Sequence, residues 1–181
     1  TGILETNVVK TLYLLRHAKS AWDAPGLSDH DRPLNRRGEL AAKAMASYLA
    51  SLAPRPDLIL CSTATRTRQT LAPLVKILGA PTPPIALEKG LYLALEEALL
   101  SRVRALPENI SVALLIGHND GIGRLAADLA GHGPQPALSN LNEKFPTGAL
   151  AILRAPGPWA ALASQACELA DFIRPRDLDR D

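Results

Sequence analysis

The sequence predicts an α/β fold: one domain, residues 1–181, built as a three-layer α/β/α sandwich around a mostly parallel central sheet. Three observations predict it. Short apolar runs of strand length, Val8 to Leu15, Asp57 to Cys61 and Ser111 to Ile116, alternate with segments whose apolar residues recur at helical spacing. The third run, SVALLI, is almost wholly apolar, as expected of a strand covered by helices on both faces. The 181 residues, 47% of them hydrophobic, are enough to bury one sizeable core.

The elements follow in order. Val8 to Leu15 alternates poorly but is rich in Val, Leu and Tyr, and reads as a strand. LSDHDRPL, Leu27 to Leu34, is a polar loop, and Asn35 is a suitable cap for the next helix. In that helix Leu40, Ala41, Ala44, Met45, Tyr48, Leu49 and Leu52 recur at helical spacing, and APRP at Ala53 to Pro56 ends it. Asp57 to Cys61 is a second strand. STATRTRQT opens a helix with Ser62 or Thr63 as cap, and Pro73 is expected to kink or end it near Leu71. GAPTPP is a loop, and Ile85 to Leu87 beside it reads as an edge strand. Ala94 to Leu106 is a helix with Leu95, Leu99 and Val103 on one face. After Ser111 to Ile116 the chain turns at Gly117 to Asp120. A helix then runs to about Leu129, with Gly131 at its C′ position. Pro134 to Pro146 reads as a long loop. Ala149 to Leu153 and Leu162 to Leu169, joined through APGPWA, read as a hairpin.

Composition narrows the function. A net charge of +2 is too small to argue for nucleic acid or an anionic membrane, and 4% aromatics supply few stacking platforms. The longest apolar run, VALLIG, is too short to span a bilayer, and TGILETNVVK lacks the basic and apolar regions of a leader. Cys61 and Cys167 have neither metal-ligand spacing nor a disulfide framework, so both read as reduced thiols in a cytoplasmic protein. The oligomeric state stays open.

Parallel α/β sheets bind ligands at the carboxyl ends of their strands. Here the first strand ends in Arg16-His17, the second in Cys61-Ser62 leading to Arg66, and the third in Gly117-His118. Taken singly, each residue has a plain structural reading: a hydrogen-bonded surface His, or an Arg in an ion pair. Arg66 and Arg68, however, fall in a helix's first turn, where a cation opposes the macrodipole, and this suggests a nearby anion. Arg36 and Arg37 read instead as solvated cations beside Asp29 and Asp31, and His30 and His132 as exposed loop residues. Zinc needs three or four ligands, and the cations beside His17 and His118 would repel it. Neither a metal nor a cofactor is expected. No phosphate-binding glycine loop of the G-x-x-x-x-G-K-[ST] type occurs. Two His and two Arg without a metal suit phosphoryl transfer, in which Arg forks match the phosphoryl oxygens and a neutral imidazole can be the nucleophile.

LRHAKS, CSTATRTRQT and IGHND resemble the three signatures of the histidine phosphatase superfamily, whose fold is phosphoglycerate mutase-like. The resemblance runs from the first strand to about residue 130. It implies that His17 is the phosphorylated nucleophile and that Arg16, Arg66 and His118 form the phosphate pocket. Ser62, Ala64, Thr67 and Thr70 fit the second signature. RHAKS with DHDRPLNRRG, and FPTGAL further on, look like the SixA-type phosphohistidine phosphatase branch. Ala18 stands where many members have Gly, and Asp23 where the mutases have Asn. The mutases' long insertions are also missing, and these departures argue against mutase activity. Larger members place an acid between the second and third signatures. Glu88 is the best-placed candidate for such a proton donor and Asp23 the second, whereas Glu96 and Glu97 read as solvated. The resemblance thus implies a metal-independent phosphatase acting on phosphohistidine through His17, with a phosphorylated protein or small phosphorylated metabolite as partner. A general small-molecule phosphomonoesterase, or a non-catalytic phosphate- or phosphoprotein-binding module, would use the same pocket.

Overall fold

β1 (Val9–Arg16) opens the chain, followed by α1 (Arg36–Ser51), β2 (Leu58–Ser62), α2 (Thr65–Leu78), β3 (Ile85–Glu88) and α3 (Glu96–Arg104). The second half holds β4 (Val112–Gly117), α4 (Gly121–Leu129), β5 (Ala130–His132), α5 (Gln135–Glu143), β6 (Leu150–Pro156), β7 (Cys167–Ile173) and α6 (Pro175–Leu178). The computed structural model describes residues 8–179. The strands form one sheet in the order β3-β2-β4-β1-β6-β7-β5. β1, β2, β3 and β4 are mutually parallel, β6 runs against β1 and β7, and β5 is parallel to β7. Only β6 therefore opposes the common direction.

Strand alternation sends successive side chains to opposite faces, and the two faces carry separate cores. On one, Met45 and Leu49 of α1 and Leu71 and Leu74 of α2 pack against Tyr13, Leu15, Ile59 and Ile116. On the other, Leu99 of α3, Ile122 and Leu125 of α4 and Leu141 of α5 pack against Leu12, Leu14, Leu60 and Leu115. The expected α/β/α sandwich is the observed one. Every residue of β4 is buried, as its apolar run requires, and β3 is an edge strand. β1 alternates poorly because both of its faces are covered, Leu12 and Leu14 facing one core and Tyr13 and Leu15 the other. Lys10 is only 2% exposed, and its Nζ donates to the Glu108 and Ile110 carbonyls.

Several sequence expectations are corrected. Pro73 lies inside α2, which continues to Leu78 and stops at Gly79 with φ +63°. Burial of Leu71 and Leu74 on either side of Pro73 outweighs the lost helical hydrogen bond. The cap of α2 is Ala64, because Ser62 and its neighbour are taken up in the end of β2 and the turn after it. Residues 134–146 are not a loop throughout: α5 lies there, anchored by Ala137 and Leu141, a two-residue stripe too sparse for periodicity to reveal. The antiparallel pair near the end exists as β6 and β7, but its second strand begins at Cys167, after a 3₁₀ turn at Trp159–Ala161. Gly131 follows the cap of α4 as expected, yet it sits in β5, where a Cβ would strike the Gln165 carbonyl. Leu40 and Leu95, expected on buried faces, are 52% and 67% exposed.

Asn35 caps α1 as expected, its Oδ1 accepting from the Gly38 amide at 2.8 Å. Gly38 also lets α1 approach the loop after β1, since a Cβ there would strike the Lys19 carbonyl oxygen. That approach, with the Asn35 amide donating to Lys19 O at 3.0 Å, fixes the chain that follows His17. Gly38→Ala is expected to lower the unfolding free energy by about 1–3 kcal/mol, the usual cost of overpacking. Gly90→Ala, with nothing near the added methyl, is expected to change it little. Urea titration of both variants checks this, and equal stabilities would rule out the close-approach explanation.

Candidate active site

β2, β4 and β1 are neighbours in the sheet, and register aligns their carboxyl ends. Arg16 pairs with Gly117 across β1 and β4, and Cys61 pairs with Ile116 across β2 and β4. The His17 amide extends the β1–β4 ladder by donating to Gly117 O at 3.0 Å. His17 and His118 thus leave adjacent strands at the same level. Their ring centroids are 5.3 Å apart.

His17 is buried, with Nδ1 2.7 Å from the carbonyl of Ala18. A carbonyl only accepts, so Nδ1 carries the proton and Nε2 keeps its lone pair, an assignment made from the hydrogen-bond network. Arg66 Nε lies 3.4 Å from that Nε2. Burial is the largest cause that pushes the imidazole pKa down to about 4. The Ala18 hydrogen bond opposes it, and the charges of Arg66, Arg16 and Arg32 add to it. His17 is therefore neutral at physiological pH.

His118 is held by Ser62, with Nε2 2.8 Å from the hydroxyl. Ser62 Oγ accepts from the Ala64 amide and can donate its own proton to Nε2; assigned this way from the hydrogen-bond network, the imidazole proton of His118 is on Nδ1. Nδ1 of His118 is buried and has no partner among the described residues, and the same holds for Nε of Arg16. Two buried nitrogens without partners mark a place where an acceptor such as a phosphoryl oxygen would be bound. Burial, followed by the neighbouring His17 and Arg66, pushes the His118 pKa down to about 3. Arg16 itself is steered by the Phe145 carbonyl, which accepts from its Nη1 at 2.9 Å and from Asn119 Nδ2 at 3.0 Å.

Arg66 is 2% exposed. Its Nη1 donates to Asp29 O at 2.7 Å and its Nη2 to Asp29 Oδ2 at 3.0 Å. Asp29 also accepts from the Tyr92 hydroxyl and from Nε and Nη2 of Arg32. Its carboxyl is held well below the usual range, first by the Tyr92 hydrogen bond and then by those from Arg32 and Arg66. Asp29 is thus a fixed anion and carries no proton to give. Behind it, Thr70 Oγ1 accepts from the Ala18 amide and donates to Arg66 O, tying the His17 loop to α2.

The structure brings four of the expected residues together, Arg16, His17, Arg66 and His118. It does not bring Glu88 or Asp23 into their hydrogen-bond network. Both Glu88 carboxylate oxygens are engaged by Arg102 of α3, at 2.7 to 3.1 Å, and Asp23 is exposed in the loop after β1. Sequence reasoning missed Asp29 and Tyr92. Asp29 was expected near Arg36 and Arg37, but Arg36 pairs with Glu39 and Asp29 turns toward Arg66. His30, expected in solvent, is partly covered: it meets Thr63 at 2.9 Å and lies edge-on to the Tyr92 ring. The D-x-x-R spacing of Asp29 and Arg32 was the available signal, since i,i+3 places the two side chains together. Among the described residues no group of three or more His, Cys, Asp or Glu side chains is arranged to hold a metal ion. No described helix is long and apolar enough to cross a membrane.

Comparison with known proteins identifies the family. Residues 12–92 match the model of the histidine phosphatase superfamily (branch 1). An uncharacterized protein of Mycobacterium tuberculosis H37Rv is 38% identical over 90% of this chain and all of its own length. A candidate SixA phosphohistidine phosphatase from Agrobacterium tumefaciens superposes with a TM-score of 0.75 at 36% identity, over 92% of this chain and 98% of that one. Another, from Nakamurella multipartitia, gives 0.79 at 32% identity, over 92% and 96%. The chain therefore belongs to the histidine phosphatase superfamily, in its SixA-type branch, and is a phosphatase.

Proposed function

We propose that this phosphatase hydrolyses phosphohistidine and related phosphoramidates, without a metal, through a phosphohistidine intermediate on His17. The observation that carries the reading is the orientation of His17. Nδ1 is tied to Ala18 O, and the lone pair of Nε2 sits beside the buried Arg66 guanidinium. In the first step that lone pair attacks phosphorus, the N–P bond forms, and the bond to the leaving nitrogen breaks. In the second, water attacks the phosphohistidine, the His17 N–P bond breaks, and inorganic phosphate departs. Arg16, Arg66 and the Nδ1–H of His118 act as donors to the equatorial oxygens, where negative charge is spread. Asp29 positions Arg66.

The choice of substrate rests on the proton. An alkyl ester leaves as a poor alkoxide and needs a general acid, whereas an imidazole can leave already protonated. Asp29 is held ionised, Glu88 is paired to Arg102, and Asp23 is exposed and outside the network. We assign no carboxylic acid to the leaving group, and this favours phosphohistidine over the general phosphomonoesterase reading. A cytoplasmic setting fits the two buried free thiols, Cys61 and Cys167.

His17→Ala is expected to abolish both turnover and the acid-labile, base-stable phosphoenzyme. A variant that still forms such an intermediate would sink the assignment. Arg66→Ala should cost roughly 100- to 1,000-fold in kcat, as for other charge-stabilising donors, and an unchanged rate would mean that Arg66 does not stabilise the transition state. No turnover of an activated aryl phosphate by the wild type in EDTA would favour the binding-module reading. A pH profile tests the neutral imidazole. Since the pKa of His17 is lowered to about 4, the nucleophile is competent above that value and is lost as pH falls through it. The enzyme's own limb of kcat/KM, with substrate titration subtracted, should stay flat to about pH 5, whereas a free imidazole would titrate at about 6.5. The leaving group separates the enzyme readings. Phosphoramidate or a phosphohistidyl peptide should exceed an alkyl monoester such as 3-phosphoglycerate in kcat/KM, and Glu88→Gln should change neither. Alkyl esters winning by tenfold, about 1.4 kcal/mol of transition-state preference, would establish the phosphomonoesterase instead.

A further inference from the structure

Near the catalytic groups the chain also carries cations the phosphoryl chemistry does not use. Lys19 lies two residues beyond His17, Arg37 at the start of α1, Lys144 just before the Phe145 carbonyl that steers Arg16, and Arg174 and Arg176 after β7. Together they line a depression of about 310 Å³. Topology puts it on the catalytic edge of the sheet. β1 and β7 run in the same direction, so Lys19 and Arg174 both leave at carboxyl ends. β6 runs the other way, so Lys144, which precedes it, stands at that same edge.

The charge there is poorly neutralised. Asp177 pairs with Arg174, and Glu143 is the one carboxylate lining the depression. No ion pair within 4 Å among the described residues engages Lys19, Arg37, Lys144 or Arg176. A chain of net charge +2 thus gathers five cations around one site. The four unpaired ones are exposed and come from separate segments. Such an arrangement suits diffuse complementarity to an acidic protein surface, which steers encounter and fixes orientation.

We infer that this basic depression is a docking surface for an acidic polypeptide that presents its phosphorylated side chain to His17. The inference rests on the phosphohistidine reading of the site. The partner class is an acidic phosphoprotein, whose carboxylates flank the phosphorylated residue.

The test uses the triple variant R37A/K144A/R176A, which leaves every catalytic group in place. Binding of a fluorescein-labelled octaglutamate peptide is measured by anisotropy. The wild type is expected to bind at low ionic strength and to release the peptide as salt rises, with the triple variant at least tenfold weaker. Two phosphohistidyl peptides, flanked by glutamates or by glutamines, are then compared. The wild type should prefer the glutamate-flanked peptide by about tenfold in kcat/KM, the scale expected for a few exposed charge pairs. The triple variant should lose that preference with phosphoramidate turnover unchanged. Equal peptide binding by both proteins, or a preference surviving in the variant, would overturn the docking surface. Tripolyphosphate binding that weakens as much as octaglutamate binding would reassign the depression to small anions. If neither phosphohistidyl peptide is hydrolysed, the phosphohistidine reading fails, while the anisotropy comparison still decides the docking surface.

Discussion

The site depends on keeping one guanidinium, that of Arg66, charged and almost wholly out of water. A buried charge left alone is costly, so it must be paired and its donors satisfied. Asp29 does both, through its carbonyl and its carboxylate. That pairing leaves Nε of Arg66 directed at His17. Asp29 is in turn fixed by Arg32 and Tyr92, and Arg32 by Ser20 Oγ, by the Ala21 carbonyl and by the Trp22 ring 3.6 Å away. The loop between β1 and α1 is therefore the outer wall of the site and not a passive connection.

The same burial sets the protonation state. Two imidazoles with centroids 5.3 Å apart, flanked by arginines, cannot cheaply take up protons, and both remain neutral. Neutrality gives each a distinct use. The Ala18 carbonyl directs the proton of His17 to Nδ1, and the Ser62 hydroxyl directs that of His118 to Nδ1 as well. In His17 this leaves a lone pair at Nε2, which accepts from Arg66 Nε; in His118 it leaves a donor at Nδ1 without a partner among the described residues. In the proposed mechanism one kind of side chain thus supplies a nucleophile and an electrophilic stabiliser, through which neighbour each ring touches.

Backbone closeness makes this arrangement possible. Gly38 admits the Lys19 carbonyl, and Gly148, at φ +75°, donates its amide to the carbonyls of Arg16 and His17. The end of β1 is thus held from the α1 side and from the start of β6. Thr70 adds a third attachment through the Ala18 amide. A loop pinned at three points keeps an imidazole within the narrow geometry that the proposed in-line attack needs.

Much of this was legible in the sequence. Apolar runs ending in Arg16-His17, Cys61-Ser62 and Gly117-His118 identified the parallel strands and the residues at their carboxyl edge, because strand length and burial are written in local composition. Asn35 as a helix cap and β4 as a fully buried strand were legible for the same reason. Elements stabilised from a distance were not. Pro73 continues a helix because Leu71 and Leu74 are buried against the sheet, and α5 forms around only Ala137 and Leu141. Lys10 is buried in β1 because carbonyls about a hundred residues away accept its protons. The sequence by itself determined which residues reach the carboxyl edge of the sheet. Only the tertiary structure decided that Asp29 clamps Arg66, that Glu88 belongs to Arg102, and on which nitrogen each imidazole keeps its proton. Those outcomes depend on contacts between segments far apart in the chain, and pairwise geometry of that kind has no local signature.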